Sequence, residues 1–349
     1  MTHVITNDLW YTRCPVPTPL GIAIQLGWFA DEFADDGIEL HSIQETTDAN
    51  ARESHFDHTL PSSFRQGGNI PALWARSRGA DTKVIGLSWT DEFQAIVTLS
   101  GSKVQRAADL VGRRIGLPVN PVSIDFNRAS ALRGFAKALE LDGRDLRDVE
   151  WIDTPSAEPA GSGAGGLSTG EHRRLRSRHG YRAEVLALIR GEVEAIFVKG
   201  ALGLETVRLI GGQVVADLGS HPDTKVRINN GTPRTLTVDT KLIDERPDIV
   251  ARFLGRVIDA GDWARAHPDE TFAYIAQETG STADWARAAY GDDAPAKLAT
   301  FLSEDATAAL SDFKDFLFAH GFLPADFDVR GWIDPRPLEA VARLHRQAA

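Results

Sequence analysis

The chain has 349 residues, 42% of them hydrophobic, one cysteine, and a formal net charge of -11. That length allows about two domains, each with a core of its own. The acidic balance speaks against a nucleic-acid or anionic-membrane partner, both of which need a basic face, and a lone cysteine excludes an intrachain disulfide.

The opening MTHVITNDLWYTRC has no basic stretch followed by an apolar run of about 7–15 residues, so it does not read as a secretory leader. Asn7, Asp8 and Arg13 fill the space before Cys14 that a lipid-modified cysteine would need to be apolar. No window approaches the ~20 apolar residues of a membrane span. The expectation is a soluble, cytoplasmic, monomeric protein with no membrane partner.

Residues 8–13 read as a strand. Thr18 and Pro19 match a helix N-cap and first helical position. Leu20, Ile24, Gly27, Trp28 and Phe33 continue at helical spacing until Gly37. GIELHSI (37–43) predicts a strand, NIPALWARSRGA (69–80) a short helix, and TKVIGLSW (82–89) and FQAIVTL (93–99) two more strands. After residue 101 come a turn, a short helix and a strand to about 118, then an amphipathic helix over 124–143. A helix, Gly191 and a strand follow over 181–200, then a strand at 213–219. From about 235 the text turns mostly helical. The alternation predicts an α/β protein of two lobes. Residues 1–100 with 231–349 form the first lobe, and 101–230 an inserted second lobe. The C-terminal helices are expected to pack back on the first.

The stretch 156–180 is rich in Gly and Ser, then basic. Gly161, Gly163 and Gly166 satisfy G-x-G-x-x-G formally, but no strand ends before them and no apolar helix opens from them, so a mobile loop is the better reading. Arg173, Arg174, Arg176 and Arg178 read as a solvated face.

Three residues stand out as chemistry. Cys14 directly follows the first strand, and in open α/β sheets ligands bind beyond the carboxyl ends of strands. The helix opening near Thr18 would add a field that favours negative charge there. A small buried apolar residue is the plain alternative. His55 and His58 flank Asp57, but a metal reading lacks further ligands, and His55 fits better as base or proton shuttle for Cys14. Arg65 precedes Gly67 and Gly68 and the helix opening near Pro71. A guanidinium beside glycine amides makes an anion site; a surface salt bridge is the alternative.

YTRCPVP (11–17) and HFDHTLPSSFRQGGNIPAL (55–73) resemble the 2′-hydroxybiphenyl-2-sulfinate desulfinase family of bacterial dibenzothiophene desulfurisation. That family has a Cys-Pro-Val-Pro segment and a His-Phe…Arg-x-Gly-Gly-x-Ile-Pro segment. Weaker similarity runs through AADLVGRRIG (107–116), RGEVEAIFVKG (190–200) and VVADLG (214–219). The resemblance implies a catalytic set of Cys14, His55 and Arg65, with Gly68 supplying a backbone N–H to the substrate; Gly67 beside it is a further candidate contact from the glycine pair itself. It implies a metal-free, cofactor-free hydrolysis of an organic sulfinate, a small anionic organosulfur compound, releasing sulfite. It also implies the two-lobed, type 2 periplasmic-binding-protein-like fold of the nitrate, taurine and sulfonate binders, with a cleft between lobes. A non-catalytic solute-binding protein is the main alternative. The pyrimidine synthase of thiamine biosynthesis, of the same superfamily, needs pyridoxal phosphate and a cysteine-rich motif that this chain lacks. One departure is Lys199, where the dibenzothiophene enzyme has tryptophan. It lines the cleft and favours a second acceptor on the substrate, or it points to solvent. The segment 117–126 also departs from the family.

Overall fold

The computed structural model describes residues 8–156 and 180–348. The glycine triplet at 161–166 and the arginines at 173–178 lie outside the described residues.

The described residues form three sheets, the second and third joined by an isolated bridge. The first holds β1 (Asp8–Arg13), β2 (Glu39–Ser42), β3 (Ser63–Gly67), β4 (Thr82–Ser88) and β10 (Arg234–Asp239), in the order β2-β1-β3-β10-β4. β1 runs parallel to β2 and β3, and β10 lies antiparallel between β3 and β4. In the second, β5 (Gln94–Leu99) lies antiparallel between β8 (Ile196–Lys199) and β9 (Gly212–Asp217). In the third, β6 (Arg114–Val119) pairs with β7 (Glu150–Pro155), and an isolated Ile115–Ala195 bridge links it to the residue just before β8. Both lobes therefore repeat one pattern: parallel strands with one antiparallel strand, contributed by the segment that has just crossed over.

That pattern moves the lobe boundary. β5 belongs to the second sheet, so the outward crossover spans residues 89–93 rather than falling at residue 100. β10, within a stretch expected to be mostly helical, enters the first sheet. Its RTLTVD alternates β-branched residues and is buried on both faces, which favours a central strand over a helix.

The helix expected after Thr18 is two helices, α1 (Pro19–Gln25) and α2 (Trp28–Phe33). Gly27 sits between them at φ 76°, a left-handed conformation that ends one helix and re-aims the chain. α3 (Ala49–Asp57) opens with Asp48 accepting from the backbone N–H of Asn50 and closes on His58 at φ 55°. α4 (Asn69–Ser77) follows β3, and α5 (Phe126–Leu141) is capped by Asp125.

Helix 247–266 covers one face of the first sheet, where Phe253 stacks on Phe64 with ring centroids 3.6 Å apart. Truncating either ring to alanine would cost about 3–5 kcal/mol. Helix 304–319 and α4 share the second apolar cluster, which includes Val84 and Leu87 of β4. The C-terminal region also reaches the second lobe: Phe272, Ala286 and Tyr290 bury against Ala201 of helix 200–209. No helix of the described residues is long and apolar enough to cross a membrane.

Candidate active site

Cys14 is the first residue after β1, and its backbone N–H bonds to the Gln66 carbonyl at 3.1 Å, which fixes it beside the end of β3. Its Sγ lies directly over Gly67, where a Cβ would fall 2.2 Å from the sulfur. Any side chain at 67 would displace the thiol, so glycine is required by space rather than by φ. Gly68 is closed in the same way by the Asn230 side chain, 2.6 Å from where a Cβ would stand.

Arg65 stands in the middle of β3 and is 1% exposed. Nε donates to the His55 carbonyl at 2.9 Å, NH1 to the Gly68 carbonyl at 2.9 Å, and NH2 to Cys14 Sγ at 3.6 Å. Burial lowers its pKa, and Cys14 acts against that. Among the described residues no carboxylate lies within ion-pair distance of this guanidinium. A buried cation without a counter-ion carries a desolvation cost that a bound anion would relieve.

His55, 5% exposed, comes from the last turn of α3. Its Nε2 lies 3.9 Å from Cys14 Sγ and its Nδ1 2.7 Å from Thr12 Oγ1. Phe56 meets the imidazole edge-on at 4.8 Å. Burial first, then Arg65 and His58, hold the His55 pKa well below the usual histidine value, so the ring is neutral near pH 7. Burial and Arg65 push His58 down to about 3.

The structure thus brings Cys14, His55, Arg65, Gly67 and Gly68 together. The field credited to α1 is weaker than the sequence implied. That helix has 7 residues, Gly21 N–H is spent on Thr18 Oγ1, and Leu20 N–H on Gln66 Oε1. The charge beside the sulfur comes from Arg65 instead. Gly68 gives its carbonyl to Arg65. Lys199 shares no contact with the trio among the described residues; its Nζ binds Glu92 at 2.8 Å. His55 and His58 join no three-ligand cluster among the described residues; the one such group, Asp8, Glu39 and His41, lies at the opposite end of β1. Sequence reasoning missed Thr12, although the period of two along β1 puts it on the Cys14 side of the strand.

Residues 15–158 match the NMT1/THI5 like family. The chain is 27% identical to 2′-hydroxybiphenyl-2-sulfinate desulfinase of Rhodococcus erythropolis, across 99% of this chain and 96% of that protein. It superposes on a crystal structure of a cysteine-to-serine mutant of DSZB in complex with biphenyl-2-sulfinic acid, with a TM-score of 0.76, 24% identity, and coverage of 97% of this chain and 100% of that one. The periplasmic aliphatic sulphonate binding protein SsuA of Escherichia coli gives a TM-score of 0.66 at 14% identity, over 94% of this chain and 92% of that one. The chain is a homologue of 2′-hydroxybiphenyl-2-sulfinate desulfinase, with the periplasmic-binding-protein-like α/β fold shared by the sulfonate-binding proteins.

Proposed function

We propose that this protein is a sulfinate desulfinase, cleaving the C–S bond of an organic, aryl-type sulfinate to release sulfite. The observation that carries the reading is a buried guanidinium without a carboxylate partner among the described residues, 3.6 Å from the one thiol of the chain, which in turn lies 3.9 Å from a neutral imidazole. The homology to a desulfinase supplies the substrate class.

Arg65 spends three of its five N–H donors on protein atoms. The two that remain have no partner among the described residues and can hold sulfinate oxygens. An aryl carbanion is too basic to leave without a proton, so cleavage must deliver one to the carbon that bears sulfur. Neither neutral His55 nor Arg65 is an acid of ordinary strength, which leaves the Cys14 thiol as the donor. The C–S electron pair stays with carbon and takes that proton. Sulfur dioxide departs, and water converts it to bisulfite. The proton set free returns to Cys14 through His55 Nε2, whose lone pair faces the sulfur when Thr12 accepts from Nδ1–H. The sum, sulfinate plus water giving arene plus bisulfite, balances without an external electron donor or acceptor, so the chemistry calls for no redox cofactor.

The test is incubation with a panel of aryl and alkyl sulfinates and measurement of released sulfite. Turnover of aryl sulfinates supports the reading. Tight binding of the panel with no sulfite released makes the protein a binder on the same fold.

A further inference from the structure

Lys199 ends β8 and precedes helix 200–209, at the edge of the second lobe where its chain meets the crossovers. Its backbone is clamped: Lys199 N–H donates to Tyr181 Oη at 2.8 Å, and that hydroxyl donates to the Lys199 carbonyl at 3.1 Å. The ammonium reaches Glu92 on the outward crossover at 2.8 Å. The Glu92 side chain is 1% exposed and also faces Arg234 at 3.5 Å. Arg234, wholly buried at the start of β10, donates NH1 to the Thr90 carbonyl at 3.1 Å. Burial pushes the Glu92 carboxyl up, but Lys199 and Arg234 more than offset this and hold it ionised.

This cluster adjoins the candidate site through one layer of chain. Gly68 packs on the Asn230 side chain, and the next residue, Gly231, leaves room for Glu92, whose Oε1 stands 2.3 Å from where a Cβ would be. The two cations on either side of that layer stand in opposite conditions. Arg65 has no carboxylate among the described residues, whereas Lys199 has a buried one of its own.

We propose that Glu92 sets the charge specificity of the site: it holds the Lys199 ammonium away from substrate, so that the cleft takes a sulfinate with one anionic group and an uncharged remainder. The proposal rests on the desulfinase reading. An ammonium without Glu92 would turn to a second anionic group on the substrate. A charge-assisted hydrogen bond of that kind is worth roughly 10–100-fold in preference.

The experiment compares benzenesulfinate with 3-carboxybenzenesulfinate by kcat/KM for sulfite release. The wild-type protein is expected to favour the monoanion at least ~10-fold, and Glu92→Gln to shrink that ratio by about 10-fold or more through a lower KM for the carboxylated substrate. Adding Lys199→Gln should restore the wild-type ratio. A folded Glu92→Gln protein with an unchanged ratio, or a wild-type preference for the dianion, overturns the proposal. If Glu92→Gln does not fold, Lys199→Met decides. The ratio stays where it was if Lys199 is withheld, and a selective loss with the dianion shows that Lys199 binds substrate. If no sulfinate yields sulfite, the desulfinase reading has failed, and protection of Cys14 from iodoacetamide by the two anions still ranks them.

Discussion

Thr12 Oγ1 lies 2.7 Å from His55 Nδ1, so the strand that delivers Cys14 also orients the imidazole facing it. Thr12→Val keeps shape and volume but leaves Nδ1 without its partner. We expect kcat to fall about 10–100-fold with KM little changed, and Thr12→Ser to recover most of it, because general acid–base transfer is worth roughly 10²–10⁴-fold when well aligned. Steady-state sulfite release checks this. Equal activity in Thr12→Val would mean that His55 is held by its burial alone.

Gly67→Ala should be more damaging than its size suggests. The new methyl would fall 2.2 Å from Cys14 Sγ and 2.7 Å from Cys14 Cβ, so the thiol must move. A displacement of about 1 Å at a reacting group costs on the order of 100-fold in rate. A circular dichroism melt alongside the assay separates a moved thiol from an unfolded protein.

Stability should fall as the solution is acidified below neutrality. His55 and His58 both have native pKa values below the unfolded value of about 6.5, and His58 is pushed down to about 3. Below the unfolded value the unfolded chain binds more protons than the native one, and His58 removes about 1.4 kcal/mol per pH unit well inside the window from about 6.5 to about 3, with His55 acting in the same direction. Their contribution is complete above about pH 6.5 and is lost on the way down. Glu184 acts the other way, since burial raises its carboxyl to about 7. His58→Asn, which tolerates the left-handed φ of 55° at that position, isolates one histidine. Chemical denaturation at pH 7 and pH 5 should show a smaller pH penalty in the variant than in the wild type.

Ring substituents test where the proton goes. If Cys14 protonates the carbon that bears sulfur, electron-donating groups para to the sulfinate should raise kcat and electron-withdrawing groups lower it. The opposite trend across a substituted benzenesulfinate series would indicate attack of Cys14 on sulfur instead.

The two motifs carrying Cys14, His55 and Arg65 were legible because each is local: a strand end, a glycine pair, a helix start. Their meeting depends on β1 pairing with β3, where Thr12 sits opposite Arg65, a long-range register that single segments do not announce. Lys199 shows the complementary failure. Its position at a strand end was readable, but its partner Glu92 lies 107 residues away on a crossover, and no local pattern couples them. The misplaced lobe boundary has the same origin. β5 has the composition of any buried strand, and only its pairing with β8 and β9 assigns it to the second sheet. The break at Gly27 was hidden because α1 and α2 keep apolar residues in near-helical register across it.

Cys14→Ser measured against wild type tests the account most directly. Serine is close in size, yet its hydroxyl is a much weaker acid and nucleophile than a thiol at neutral pH. With an aryl sulfinate that the wild-type protein turns over, the account predicts loss of sulfite release by at least ~1000-fold, while calorimetric affinity for the same sulfinate stays within a few-fold because Arg65 still holds it. Sulfite release from the serine variant near the wild-type rate would contradict it.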